Sequence, residues 1–329
     1  MKKPDPVEQA LDRLSALRKG ADAPETVAPE IRKFLGHKLN LIVARAAKVA
    51  GELQSAKSIP DLVAAFERLM ADPQKLDKGC AALTEIAGAL YDLDYIEPEI
   101  YLRGICHVQM EGSFGPPVDV ASKLRATCAL GLVRTRYPQA LDKVVDLLAD
   151  PEPQARVGAV RALSSNGGEA GALLLRLKVL TGDAEPEVIS ECFSGLLAAA
   201  PERSLPFVAG YAGAENPDIA EASVLALGTS RLPAAFDVLR KQWDRHARGP
   251  LKKTLLLAMA LTRSEAAIEF LVSLLEGGDL PAARDTITAL AIYRDNDRIR
   301  QLIEAAVARR GDKTLAEAFS REFGGERRD

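Results

Sequence analysis

Five prolines, Pro153, Pro186, Pro217, Pro250 and Pro281, recur at intervals of 31 or 33 residues, each just ahead of an Ala/Leu-rich run with helical apolar spacing. Proline has no amide hydrogen for the first helical turn to leave unpaired, and its φ is already set for a helix, so a recurrent proline marks a recurrent helix start. A chain punctuated in this way folds as an array of similar helical units, each burying its apolar face on the next.

The period holds inside each unit. Six residues after the prolines stand Ala159, Cys192, Ser223, Leu256 and Ile287, and ten residues after stand Leu163, Leu196, Leu227, Ala260 and Ala291. Positions four apart share a helical face, so these pairs define the side on which successive helices meet. A second apolar-periodic run follows each first one, at 168–181, 201–213, 232–247, 264–276 and 295–310, which makes each unit a helical hairpin. Upstream the period loosens, but 38–53 pairs with 58–71, 74–91 with 95–111, and 117–136 with 138–149. The expected fold is all-α, an α-α superhelix of about eight helical hairpins over 38–310, with an N-terminal helical cap at 1–37 and a polar C-terminal tail at 311–329.

Asp150-Pro151-Glu152-Pro153-Gln154-Ala155-Arg156, continuing through Val157-Gly158-Ala159-Val160-Arg161-Ala162-Leu163 to Gly167, resembles the short bacterial HEAT-like repeat of the phycobilin-lyase type. Other units keep the turn and lose the arginine, as at Glu185-Pro186-Glu187-Val188 and Asn216-Pro217-Asp218-Ile219. The resemblance covers the architecture of 38–310 and the residue pattern of 150–163. It implies a binding solenoid. HEAT-like proteins that hydroxylate a lysine derivative at a di-iron centre use repeated His-Glu pairs, and this chain has no His-Glu dipeptide.

Composition narrows the classes further. Hydrophobic residues make up 47% of the chain and aromatic ones only 5%, which suits helices packed closely through Ala, Leu and Val. No apolar run approaches the roughly 20 residues that span a bilayer, and the amino terminus lacks the apolar stretch of a signal peptide. Cys80, Cys106, Cys128 and Cys192 have no C-x-x-C spacing and read as reduced thiols in a cytoplasmic protein. His37, His107 and His246 are isolated, and adjacent Cys106 and His107 point about 100° apart on a helix, so no metal site is expected. No nucleotide-binding, nucleophile-elbow or zinc-protease motif occurs. These absences lead to the expectation of a protein without enzymatic activity or cofactor that serves as a scaffold or adaptor for another protein or peptide.

Three places are candidate partner surfaces. Ser204 to Ala214 carries no charge, and Phe207 and Tyr211, four apart, present an apolar face. Trp243, Arg245, Arg248, Lys252 and Lys253 form the densest basic patch and carry the only tryptophan, a combination suited to phosphate or an acidic peptide. Tyr91, Tyr95 and Tyr101 stand among Asp92, Asp94, Glu97 and Glu99, a surface for a basic peptide. The 110–117 loop, with Phe114, is a fourth projection. Charge alternates in blocks, basic in 1–60 and 121–180, acidic in 61–120 and 181–240, which argues against one continuous basic stripe. Nucleic-acid binding, in a protein resembling the alkylpurine glycosylases of this architecture, is therefore the alternative to protein binding.

Overall fold

The computed structural model describes residues 5–20, 24–112 and 115–324. The chain divides into two compact units, Met1–Leu174 and Leu175–Asp329. The first holds α1 (Pro6–Lys19), α2 (Pro24–Leu35), α3 (Asn40–Glu52), α4 (Ile59–Met70), the single turn α5 (Pro73–Leu76), α6 (Ala81–Asp92), α7 (Pro98–Ile105), α8 (Ser122–Arg134), α9 (Ala140–Leu148) and α10 (Pro153–Asn166). Helix α11 (Gly168–Thr181) runs across the division. The second unit continues with α12 (Pro186–Ala199), α13 (Pro201–Ala209), α14 (Pro217–Ser230), α15 (Ala235–His246), α16 (Lys252–Leu261), α17 (Glu265–Gly277), α18 (Leu280–Leu290), α19 (Asp297–Arg310) and α20 (Lys313–Phe323).

Each unit is a ladder of first helices with second helices along one side. In the first, α3, α6, α8 and α10 pack in sequence, α1 packs on α3, and α2 lies against α3 and α4. In the second, α12, α14, α16, α18 and α20 pack in sequence, with α13, α15, α17 and α19 beside them. Among the described residues eight first-and-second pairs follow one another from α3 to α19, which is the all-α, HEAT-like arrangement.

The periodic prolines open α10, α12 and α14, occupy the second position of α18, and precede α16 by one turn. The ten positions six and ten residues behind them are all buried, from 0% exposure at Ala159, Cys192, Ser223, Leu256 and Ile287 to 8% at Ala291. Two glycines set how closely first helices approach. A Cβ on Gly158 would lie 2.3 Å from the Ala126 Cα, and one on Gly228 would lie 2.4 Å from the Ala258 carbonyl oxygen, so α10 on α8 and α16 on α14 meet backbone to backbone.

Helix ends supply a second tie. The last carbonyls of a helix have no partner within it, and here a side chain about one repeat further on donates to them. Arg68 Nη2 reaches the Leu35 oxygen at 2.8 Å, Gln242 Nε2 the Ala209 oxygen at 3.1 Å, Tyr293 Oη the Ala260 oxygen at 2.5 Å and Arg310 Nη1 the Leu275 oxygen at 2.8 Å.

Three features depart from the sequence reading. The second helix expected over 95–111 stops at Ile105, and the chain then forms a short antiparallel hairpin, β1 (Met110–Glu111) with β2 (Val118–Asp119), pairing Met110 with Asp119. Ser113 and Phe114, and with them the projection expected of the 110–117 loop, lie outside the described residues. Residues 313–323 are no polar tail: α20 buries Leu315, Ala318 and Phe323 and packs on α18 and α19, because its apolar positions recur at helical spacing behind the Asp312 cap.

Among the described residues one buried side-chain polar atom has no partner, Ser223 Oγ. It occupies the position that is Ala, Cys, Leu or Ile in the sister units. Leaving a hydroxyl dry and unpaired costs about 1–3 kcal/mol, so Ser223→Ala is expected to raise the urea midpoint. A lower midpoint would show that the hydroxyl is satisfied in solution.

Candidate functional site

The second-helix side of the Leu175–Asp329 unit carries the clearest uncovered apolar surface. Pro206 sits inside α13, and the chain tightens into a 3-10 turn at Gly210–Gly213, which brings Tyr211 back onto α12. There its ring packs 5.1 Å from the fully buried Phe193, and Phe207 meets Tyr211 edge-on at 5.3 Å. Arg176, from the C-terminal half of α11, lies flat on Phe207 with its guanidinium carbon 3.8 Å from the ring centre. Leu177 and Leu180 share that side of α11 with Arg176 and are 55% and 62% exposed. Phe207 and Tyr211 are themselves half-buried. The structure therefore brings this pair together as the sequence suggests, and adds Arg176, Leu177 and Leu180. The signal for the additions lay in Leu173-Leu174-Leu175-Arg176-Leu177: consecutive leucines on a helix cannot all face one core.

The basic patch is taken apart. Trp243 is 8% exposed, with its ring against Phe270 at 6.3 Å, and is a core residue with no free face for a base or peptide. Lys252 Nζ is 3.0 Å from Asp285 and Lys253 Nζ 3.9 Å from the same carboxylate. Arg245 and Arg248 remain exposed at the end of α15 and just beyond it. The tyrosine group divides similarly. Tyr101 is fully buried, fills the space beside Gly131, and donates its hydroxyl to the Tyr95 carbonyl at 3.1 Å; burial pushes its pKa up. Tyr91 is half-covered by the Arg134 guanidinium, 3.6 Å from its ring centre, and Arg134 also donates to the Tyr91 carbonyl and to Asp94 at 2.6 Å. Tyr95 stays half-buried, and partial burial raises its pKa. A surface for a basic peptide is thus reduced to Tyr95 and the exposed acids of the turn.

A buried polar network went unnoticed in the sequence. Arg125, on α8 and 2% exposed, donates two bonds to Asp150 at 2.8 and 2.9 Å, one to Asp119 at 2.6 Å and one to the His107 carbonyl at 2.9 Å. Asp119 Oδ1 also accepts from the Gln109 and Ala121 amides. Gln109, fully buried, ties the hairpin to the Asp77 carbonyl and to Glu111, whose carboxylate takes the Gly79 amide. Asp77 in turn accepts from the Ala82 and Leu83 amides at the start of α6. The repeat motif explains part of this. Asp150 turns the chain by accepting from the Glu152 amide, and Arg156 holds the Asp150 and Pro151 carbonyls. Burial raises the pKa of Asp119, but the amides and Arg125 outweigh it and hold the carboxyl below its ordinary value.

Among the described residues no group of three or more His, Cys, Asp and Glu side chains is placed to hold a metal ion. His107 Nε2 faces Gln109 Oε1 at 3.0 Å while Cys106 is exposed, so the two do not converge. The other three cysteines are buried, and burial pushes Cys80 and Cys192 up to about 12. No helix among the described residues is long and apolar enough to cross a membrane.

No family model and no curated protein matches this chain. Among solved structures it is similar to human deoxyhypusine hydroxylase in complex with glycerol, at 20% identity and a TM-score of 0.30 over 79% of this chain and 91% of that one. It is also similar to the complex of CpcE and CpcF of phycocyanin lyase from Nostoc, at 15% identity and a TM-score of 0.38 over 73% of this chain and 94% of that one. Likenesses of this size speak to the helical-repeat fold alone. Both neighbours are nevertheless enzymes by name, which corrects the expectation that the chain is not an enzyme: proteins of this helical-repeat kind include a hydroxylase and a lyase, and the architecture gives no ground for excluding catalysis.

The Arg125 network generates a pH prediction. Removing one partner of a buried, hydrogen-bonded ion pair costs about 3–5 kcal/mol, so Arg125→Met should lower stability at neutral pH by that order. Because the folded-state pKa of Asp119 lies below its unfolded value, its contribution is present above the ordinary carboxylate range and is lost as pH falls through the folded value. Urea titrations from neutral to acid pH should therefore show Asp119→Asn less stable at neutral pH but with a shallower acid loss than the parent. Equal acid losses in both would place the acid-sensitive group elsewhere.

Proposed function

We propose that this protein is a cytoplasmic adaptor that binds a segment of another protein on the second-helix side of its Leu175–Asp329 unit. The observation that carries the reading is the exposure of Leu177 and Leu180 beside Phe207 and Arg176. Single exposed leucines are ordinary on protein surfaces, but two on one helical face beside a half-buried aromatic pair form a patch that water wets poorly. Arg176 adds specificity. Placed over the Phe207 ring, it has no hydrogen bond among the described residues, which leaves its N–H groups free to pair with a carboxylate. The fitting partner segment is an amphipathic helix or extended strand with a leucine-like anchor and a neighbouring acid. Four free cysteines, three of them buried, agree with a reducing compartment.

A photo-crosslinking residue at position 180, compared with one at the exposed Leu302 on α19, tests this reading in cells. The expected result is a discrete adduct from position 180 that disappears in Leu177→Glu, while the same substitution leaves the unfolding free energy within about 0.5 kcal/mol of the parent, as surface changes do. Adducts of equal yield from both positions, or an adduct that survives Leu177→Glu, would contradict it.

A further inference from the structure

The first-helix side of the Met1–Leu174 unit differs in kind from the surface just described. Two cavities open on it, of about 490 and 220 Å³. The larger lies between α1, α3 and α6, and the smaller between α6, α8 and α10. They adjoin on the outer face of α6, where Ala81 and Glu85 line one and Thr84 the other. Small side chains, Ala44, Ala81, Thr84, Ala126 and Thr127, keep the floor low. Long cations stand along it: Arg45 and Lys48 on α3, Lys123 on α8 and Arg161 on α10. Glu85 is the one carboxylate among the lining residues of either cavity.

Charge pairing sets this surface apart. Elsewhere in the unit arginines are neutralised by carboxylates across the helix pairs: Arg13 by Glu30, Arg18 by Glu52, Arg32 by Asp61 and Arg103 by Glu67. Among the described residues Arg45, Lys48 and Lys123 have no such partner, so their charges are available to a ligand. The sequence hides this, because 61–120 is strongly acidic as a block. In the fold, Asp61 and Glu67 of that block are spent on cations of the second-helix side, while Asp77, Glu111 and Asp119 are drawn into the buried network.

We infer that this groove binds the phosphate backbone of a nucleic-acid duplex. Cations on α3 and α8 stand on either side of α6, across helices that pack at about 8–10 Å, which suits a repeating linear polyanion better than one isolated phosphate. Its lining contains no aromatic ring, so it offers no platform for unstacked bases, and the contact is to backbone, independent of sequence. This reading stands apart from the protein-binding patch and uses none of its residues.

The test is fluorescence anisotropy of the full chain with a labelled duplex of about 20 base pairs, chosen to exceed the few phosphates such a groove would neutralise, across a salt series. Three or four neutralised phosphates give a slope of log affinity against log salt of about −3, roughly a hundredfold loss from 50 to 200 mM salt. The double variant Lys48→Gln, Lys123→Gln should reduce that slope by about 2 and weaken binding at low salt at least ~10-fold. Lys252→Gln, Lys253→Gln, in the other unit, should change neither. Absence of duplex binding at low salt, or equal losses in both double variants, would overturn the inference. Polyglutamate bound as tightly as the duplex, with the same sensitivity to Lys48 and Lys123, would also overturn it and assign the groove to acidic protein.

Discussion

Each unit of this structure depends on first helices that pack flank to flank in a row. A lone helical hairpin of this sequence would leave the residues six and ten places behind its proline in water, and burying a Leu or Ile side chain contributes about 1.5–3 kcal/mol. In each unit those positions are buried where first helices pack on one another, and Gly158 and Gly228 let the backbones come near enough for alanine-sized contacts. The side chains that satisfy helix-end carbonyls act in the same direction. Arg68, Gln242, Tyr293 and Arg310 reach back to a preceding helix, so those helix ends are completed by a neighbouring repeat. Stability is then a sum over neighbours, as repeat arrays require.

The Arg125 network is a different solution to a local problem. Bringing an arginine and two aspartates out of water costs several kcal/mol per ion, and the expense is offset because all three guanidinium nitrogens and the facing carboxylate oxygens are hydrogen-bonded. Asp119 has two amides and a guanidinium, and Arg125 has two carboxylates and a carbonyl. What it secures is geometric. The β1–β2 hairpin interrupts the helical period, has no hydrophobic core of its own, and is anchored through Gln109 and Asp119 to α6 and α8.

The helices were legible because their signals are local: proline at the start, period within, a polar or glycine break at the end. The sites were less so. Periodicity places Trp243 and Tyr101 on helices but does not say that Phe270 and Gly131 cover them, since those neighbours come from other helices. Arg125 lies inside an Ala/Leu-rich stretch with no local signal for burial, because Asp119 and Asp150, which close around it, come from outside its helix. Block charge does not resolve faces for the same reason, because acids near one another in sequence go to different partners, Asp61 and Glu67 to Arg32 and Arg103, Asp119 to the buried Arg125. The 311–329 segment reads as a tail because its charged residues outnumber its apolar ones, although Leu315, Ala318 and Phe323 keep the helical spacing that buries one face of α20.

Neighbour coupling in the Leu175–Asp329 unit is the claim on which the rest stands, and hydrogen exchange on Leu256→Ala measures it most directly. Leu256 is fully buried in α16, which packs on both α14 and α18. Truncating a core leucine costs about 2–5 kcal/mol, and the account predicts that amide protection falls together in α14, α16 and α18. Loss of protection confined to α16, with its two neighbours unchanged, would contradict it.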